Sequence, residues 1–251
     1  MNRTALQGVT TVVRFNWHLY VLSLAGIALL LLIAAFSPPA LAVACVTSAV
    51  LTTLFIVISL VATWLAYDAS RLYQLDWLDS WMLTQGYAAN IHAGFDETTP
   101  LLRSRFLGYT WRVFDFYNPE QHNEVSIRRA RAANPPTSET IAISTQNLPV
   151  SDESLDRILL ILAAHEIRNP QERIVFFREL HRALAANGFI IVTEHLRDLP
   201  NIAAYNLGSF HFHRPSTWRE AFAAAHLELV ATFQPAPLIT TFILRKNGVL
   251  A

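Results

Sequence analysis

The stretch from Leu148 to Asp198, LPVSDESLDRILLILAAHEIRNPQERIVFFRELHRALAANGFIIVTEHLRD, constrains the fold more than any other part of the chain. It reads as strand, helix, glycine turn, strand. The run from Leu155 to Leu162 suits a strand buried on both faces, and Gly188 is placed to close a helix ahead of the apolar Phe189 to Val192. Two strands joined through a helix are parallel, so a parallel sheet with helices on both faces is expected.

The 251 residues carry a formal net charge of zero, so the chain lacks the basic surface that binding to phosphate backbones requires, and nucleic acid is not expected as a partner. The hydrophobic fraction of 53% exceeds the ordinary globular range, and the excess lies in one place, Leu19 to Leu65. Cys45 is the only cysteine, which excludes an internal disulfide framework and fits a reducing, cytosolic catalytic part.

From Leu19 to Phe36 no side chain is charged, over about the length that crosses a hydrocarbon core. Ser37, Pro38 and Pro39 break the run, and Ala40 to Leu65 is again uncharged for long enough to span. A helical hairpin is the economical reading. Arg3 and Arg14 precede the first span, Arg71 follows the second, and the Ser37 to Ala40 loop has no basic residue, which places both ends in the cytoplasm of a bacterial inner membrane. A cleaved lipoprotein-like signal ending at Cys45 is the rival, but it leaves Val46 to Leu65 unexplained and has Ala42 where a leucine is expected. Trp64, Tyr67, Tyr73, Trp77 and Trp81, interleaved with leucines, suit either a helix lying at the water interface or one covering an end of the sheet.

Seven strand candidates follow: Tyr87 to His92, Trp111 to Phe116, Ile141 to Thr145, Asp156 to Ile161, Phe189 to His195, Glu228 to Gln234 and Ile239 to Arg245. Three helix starts show a capping residue before proline, at Thr99, Asn118 and Asn169. The last two strands, joined by the short Pro235 to Leu238 connection, form an antiparallel edge pair. In such sheets ligands sit outside the carboxyl ends of the strands, at the switch in strand order. Polar groups crowd these positions: Asp96 and Glu97 after the first strand, Asp115 ending the second, Gln146 and Asn147 after the third, His165 and Glu166 after the fourth, Glu194 and His195 ending the fifth.

From about Tyr87 to Arg245 the chain resembles the class I S-adenosylmethionine (SAM) dependent methyltransferases, most closely the branch that includes ubiquinone and menaquinone biosynthesis enzymes. The second half, with LPVSDESLD leading into the fourth strand, carries the likeness best. The resemblance implies that Asp115 in VFDFYNPE binds the ribose hydroxyls of SAM, that Gln146 and Asn147 surround the adenine, that Phe116 and Leu148 also line the cofactor, and that the loop Gly94, Phe95, Asp96, Glu97 meets the methionine half. The loop HAGFDET departs from the family pattern. His92 replaces the usual acid, Gly94 is retained, and Asp96 and Thr98 stand where later glycines would be; Ser144 stands where an adenine-binding Asp is common. Asp96 or Glu97 then takes over the missing carboxylate.

Methyl transfer needs a positioned acceptor and, for a hydroxyl or acidic carbon, a proton acceptor. His165 is the first candidate and His195 the second, with His211 and His213 beside it; Glu194 and Glu166 are placed to orient or assist them. His211 and His213, with His165 or His195, approach the ligand count of a zinc or iron site, but no carboxylate at a defined spacing completes it, and no metal is expected. The loop Leu199 to Pro215, with Tyr205, Phe210 and Phe212, suits the lining of an apolar acceptor pocket, and Arg128, Arg129 and Arg131 read as a solvated helix face. The expected architecture is thus an α/β, Rossmann-like, seven-stranded methyltransferase sheet with helices on both faces, preceded by a two-helix transmembrane hairpin. Its parts are 1–66 (tail and hairpin), 67–86 (interfacial or linker helix) and 87–251 (methyltransferase-like domain). The expected activity is SAM-dependent methylation of a hydrophobic small molecule at the surface of membrane lipid. The alternative is a non-catalytic subunit that binds protein partners in a membrane complex.

Overall fold

The computed structural model describes residues 3–122 and 124–248; the terminal residues of the expected first and last parts lie outside them. Two long helices open the chain, α1 (Gln7–Ala35) and α2 (Pro39–Thr63), joined by the short break at Ser37 and Pro38. Their antiparallel packing is the expected hairpin, and both are long and apolar enough to cross a membrane. Leu22, Leu24, Leu32, Val43, Val50 and Val57 are among its exposed apolar side chains.

Helix α1 is two segments. At Asn16 the backbone leaves helical geometry (φ −112°, ψ 17°), and the Asn16 amide donates to the Val12 carbonyl oxygen at 3.0 Å. The segment before this kink stays on the domain. The Asp68 carboxylate accepts from the free amides of Gly8 (2.6 Å) and Val9 (3.0 Å), capping α1 from the far end of the hairpin. Arg129 donates to the Phe15 carbonyl oxygen at 2.8 Å and meets His18 Nδ1 at 2.8 Å, fastening the same segment to a helix of the domain.

Seven strands form one sheet: β1 (Gly86–His92), β2 (Tyr109–Asp115), β3 (Thr140–Ala142), β4 (Leu155–Ile161), β5 (Leu184–His195), β6 (Leu227–Ala236) and β7 (Ile239–Lys246). Their order is β3-β2-β1-β4-β5-β7-β6, with β1 to β5 parallel and β7 antiparallel to both neighbours. The order reverses between β1 and β4. His92 pairs in register with Asp115, so the carboxyl ends of β1 and β2 finish together beside that switch.

The remaining helices are α3 (Thr99–Arg105), α4 (Val125–Ala133), α5 (Pro170–Ala183), α6 (Leu199–Tyr205) and α7 (Pro215–Ala224). One sheet face, with Phe114, Ile158, Leu160, Ile190 and Val192, packs against Ile127, Phe176, Phe177, Leu180, Trp218 and Phe222 from α4, α5 and α7. Each of these large side chains contributes about 1.5–3 kcal/mol by burial. The other face alternates in phase, presenting Leu159, Ile161, Ile191 and Ile243 to Leu75, Leu78 and Leu102, with Trp77 and Trp81 at the margin.

Several local expectations are corrected. Residues 67–86 are not one interfacial helix. A π-helical turn (Trp64–Asp68) and two 3-10 turns (Leu72–Gln74, Asp76–Leu78) fold the aromatic stretch onto the second sheet face, with Leu75 left-handed at φ 58° and Trp81 stacked on Phe233. Gly188 does not close α5, which ends at Ala183; Leu184 already pairs with Leu155, and Gly188 lies in the irregular stretch before Phe189 resumes register with Arg157. Of the three cap signals only Asn169 caps, its Oδ1 accepting from Gln171 and Glu172 amides. Asn118 forms a turn by accepting from Glu120 N, and α4 begins later, at Val125. At α3 the cap is Asp96 rather than Thr99, because the Asp96 Oδ1 accepts from the Thr98 (3.0 Å) and Thr99 (2.9 Å) amides.

Candidate functional site

Two groups of polar side chains meet at the carboxyl edge. The first is built around Asp115, which is 2% exposed at the end of β2. Its Oδ1 accepts from the amides of Gly94 (2.8 Å) and Tyr117 (2.9 Å), while Arg131 of α4 donates to Oδ2. Gly94 has a left-handed φ of 81°, and a Cβ there would lie 3.1 Å from the Tyr117 ring, so the glycine lets the ring pack directly on the loop. His92 is buried beside this group, its Nδ1 3.8 Å from Asp115 Oδ1, with no hydrogen-bond partner for either ring nitrogen among the described residues, and burial lowers its pKa.

The rest of the loop turns toward the N-terminal segment. Glu97 accepts from Arg3 (3.0 Å) and Gln7 (3.2 Å) through Oε1 and from the Tyr73 hydroxyl (3.0 Å) through Oε2. Phe95 meets Phe15 edge to face at 5.6 Å. The carboxylates expected to face a ligand are therefore already engaged: Asp96 by the start of α3 and by the Asn90 amide, Glu97 by the start of α1. Gln146 and Asn147 stand exposed after β3, whereas Phe116 and Leu148 point into the core, Phe116 against Phe176 at 5.4 Å.

The second group lies after β4 and β5. His165 sits on the 3-10 turn Ala164–Glu166, and its Nδ1 is 2.6 Å from Glu194 Oε2. The other oxygen of Glu194 accepts from the Ala163 (3.1 Å) and His165 (3.2 Å) amides, so one buried carboxylate orients both the turn and the ring. His165 Nε2 faces Glu166 Oε1 at 3.4 Å. Burial alone would lower the pKa of His165, but the Glu194 and Glu166 carboxylates outweigh it and push the value up to about 10. Burial works against the Glu166 charge too, yet bonding to His165 and His211 holds that carboxyl well below the ordinary range.

His195 faces the opposite way, because successive strand residues alternate. It is sealed between Tyr67, whose hydroxyl is 2.7 Å from Nε2, the Leu238 carbonyl oxygen (2.8 Å from Nδ1) and Asn201, and it stacks on Phe212 at 4.8 Å. Burial lowers its pKa to about 4. His211 and His213 part company as well. His213 meets Arg173 at 3.1 Å, while His211 reaches the His165 group, its ring centroid 4.8 Å from that of His165.

Residues 109–192 match the model of a methyltransferase domain. A SAM-dependent methyltransferase from Methanosarcina mazei superposes with a TM-score of 0.51 at 15% identity, covering 68% of this chain and 97% of its own. One from Aquifex aeolicus gives 0.51 at 12% identity, covering 69% and 91%. The Haloferax volcanii protein in complex with the Trm112 methyltransferase activator gives 0.51 at 14%, covering 70% and 89%. The fold is that of the class I SAM-dependent methyltransferases. No curated protein matches the chain by sequence.

The Asp115 group offers a buried carboxylate, a left-handed glycine and an open rim at Gln146 and Asn147, a set that could hold the adenosine half of SAM. Sequence reasoning missed Arg131, Tyr117 and the Arg3–Gln7 segment. Arg131 stood in a basic run read as solvated, and only Arg128 of that run is exposed. Nothing local marks Arg3 or Gln7 as partners of a loop some ninety residues away.

Proposed function

We propose that this protein is a membrane-anchored, SAM-dependent methyltransferase acting on a hydrophobic small-molecule acceptor. The observation that carries the reading is Asp115, buried at the carboxyl end of β2 beside the strand-order switch and bonded to Gly94 of the neighbouring strand's loop. SAM supplies an electrophilic methyl group. Asp115 would hold the ribose hydroxyls once Arg131, a partly exposed side chain, yields its oxygen; Gly94 and Phe95 would flank the cofactor, with Gln146 and Asn147 at the adenine rim. Glu97 reaches the methionine half only by releasing Arg3 and Gln7.

On the acceptor side, His165 is positioned by Glu194. Its raised pKa makes it an imidazolium near neutral pH, so in that state it donates a hydrogen bond to an acceptor oxygen rather than removing a proton. His195 has no such access and is a structural residue in this account.

Membrane attachment is supported by the hairpin's exposed leucines and valines, each of which forfeits about 1.5–3 kcal/mol in water relative to burial. Helix α6 packs on α2, and the segment following it adds exposed Leu207 and Phe210 next to α6's own Leu199 and Ile202. These side chains suit contact with acyl chains and entry of an apolar acceptor from the inner-membrane surface. A second reading, a non-catalytic subunit that binds protein partners, is favoured by one observation: both Asp115 and Glu97 are fully engaged by the chain's own side chains. Incubating membranes that contain the protein with methyl-labelled SAM separates the two. Label transferred to the solvent-extractable lipid fraction, and absent with Asp115→Ala, supports the enzyme; no transfer from any lipid extract supports the scaffold.

A further inference from the structure

We propose that His165, Glu166 and His211 form a binding site for a zinc-class divalent metal ion at the carboxyl edge of the sheet. Three atoms converge. Glu166 Oε1 lies 3.4 Å from His165 Nε2 and 3.6 Å from His211 Nε2, and one ligand atom from each residue falls within 4.8 Å of the others. An ion bonded at about 2.1 Å in tetrahedral geometry holds its ligands about 3.4 Å apart, so the two carboxylate-to-imidazole edges already have the required length.

The surrounding groups point the same way. Each imidazole gives its other nitrogen to a carboxylate: His165 Nδ1 to Glu194 at 2.6 Å, His211 Nδ1 to Glu124 at 2.6 Å. Such carboxylate–histidine pairs favour the tautomer that leaves Nε2 free to ligate and orient the ring; at His211 the Arg168 guanidinium, which can only donate, also lies 2.5 Å from Nδ1 and must give way to Glu124 for that tautomer to form. Here both rings are held with Nε2 toward the same oxygen. Glu194 is itself locked by the two amides it accepts from, so the His165 ring is braced by backbone.

Charge favours a cation as well. Three carboxylates, Glu124, Glu166 and Glu194, face one guanidinium, Arg168, which binds Glu124 at 2.8 Å and lies closer to Nδ1 of His211 (2.5 Å) than to Nε2 (3.3 Å). The surplus of negative charge matches a divalent ion, whose binding at His165 displaces the Nε2 proton that the ring carries in the ion-free protein. Two nitrogens and one oxygen form a borderline set that suits zinc, ferrous or cobalt ions over calcium or magnesium, and three protein ligands leave a position open. The sequence offers His165 and His211 together as candidate ligands but not the carboxylate that completes the set, because Glu166 meets His211, 45 positions further along, only through the fold.

The test uses full-length protein in detergent, stripped with chelator and titrated with Co2+ in the absence of SAM. A single saturable equivalent with visible d–d absorption, displaced by Zn2+, is expected. His211→Ala and Glu166→Gln should weaken it at least tenfold, and Glu124→Gln, at a half-exposed position that leaves the core intact, by tenfold to a hundredfold. Thermal unfolding of each variant verifies folding. Absence of saturable absorption in the folded wild type, or unchanged affinity in folded His211→Ala, overturns the proposal. Because no step requires SAM, a negative result here leaves the methyltransferase reading untouched, and the reverse holds.

Discussion

Replacing His195 by Gln should remove a proton-linked loss of stability below neutral pH. The ring is 4% exposed and bonded through both nitrogens, accepting from the Tyr67 hydroxyl at Nε2 and donating from Nδ1 toward the Leu238 carbonyl oxygen. The neutral ring satisfies both contacts and brings no charge into the buried site. Burial therefore depresses the folded pKa to about 4, against about 6.5 in an unfolded chain. Between those values the unfolded state binds more protons than the folded state, so stability rises with pH across this window. The neutral ring's contribution is complete above the unfolded value and is lost as pH falls from 6.5 toward 4. A gap of about 2.5 units corresponds to about 3 kcal/mol. Detergent-solubilised wild type and His195→Gln would be unfolded thermally at a series of pH values, with near-ultraviolet circular dichroism as the readout. Other groups contribute to both curves, so the difference between them is diagnostic: the wild type should lose about 3 kcal/mol more than the variant from pH 6.5 to 4. Parallel curves would refute the claim that this ring is buried neutral.

Three further outcomes follow from the packing around the cleft. A Cβ at Gly8 would lie 2.4 Å from the Tyr67 Cβ, so Gly8→Val should detach the first segment of α1, raising hydrogen exchange in residues 7–15 while leaving the sheet protected. On the proposed reading a ribose would have to displace Arg131 from Asp115 Oδ2, so Arg131→Gln should tighten SAM binding, read by equilibrium titration; weaker binding would assign Arg131 to the cofactor instead. Deleting residues 1–66 should release the protein from membranes in a flotation assay, expose Phe95 by removing Phe15, and free Glu97 Oε1 from Arg3 and Gln7 while Tyr73 keeps Oε2.

The sheet was legible because its signals are local. Apolar runs bounded by turns placed six of the strands to within three residues and the fifth apart from its early start at Leu184, and the short Pro235–Leu238 connection announced the antiparallel pair β6 and β7. Cap signals were less reliable, since Asn before Pro begins a turn as readily as a helix: Asn169 caps α5, but Asn118 only closes a turn. Gly188 misled because α5 hands over directly to β5 at Leu184, and the glycine serves an irregular stretch in the strand. The aromatic run from Trp64 to Trp81 fitted either membrane interface or sheet; its leucines at 75 and 78 settle on the sheet, where Ile191 and Ile243 need cover. The candidate site divided in the same way. Asp115, His165 and Glu194 stand at strand ends, where topology alone directs attention, and the structure brings His165 and Glu194 together. The partners that modify them come from distant segments: Arg131 from α4, Glu124 and His211 around Glu166, and Arg3 and Gln7 from the start of the hairpin. Such pairings depend on tertiary geometry and leave no periodic trace in the sequence.

The proposed function requires that the Asp115–Gly94 edge receive an adenosyl group. Isothermal titration of the folded, detergent-solubilised protein with SAM and with S-adenosylhomocysteine measures it directly. Saturable binding of both is the predicted result, weakened by about 1–3 kcal/mol when Asp115 is changed to Ala. No saturable heat with either ligand, or affinity indifferent to that substitution, would contradict it.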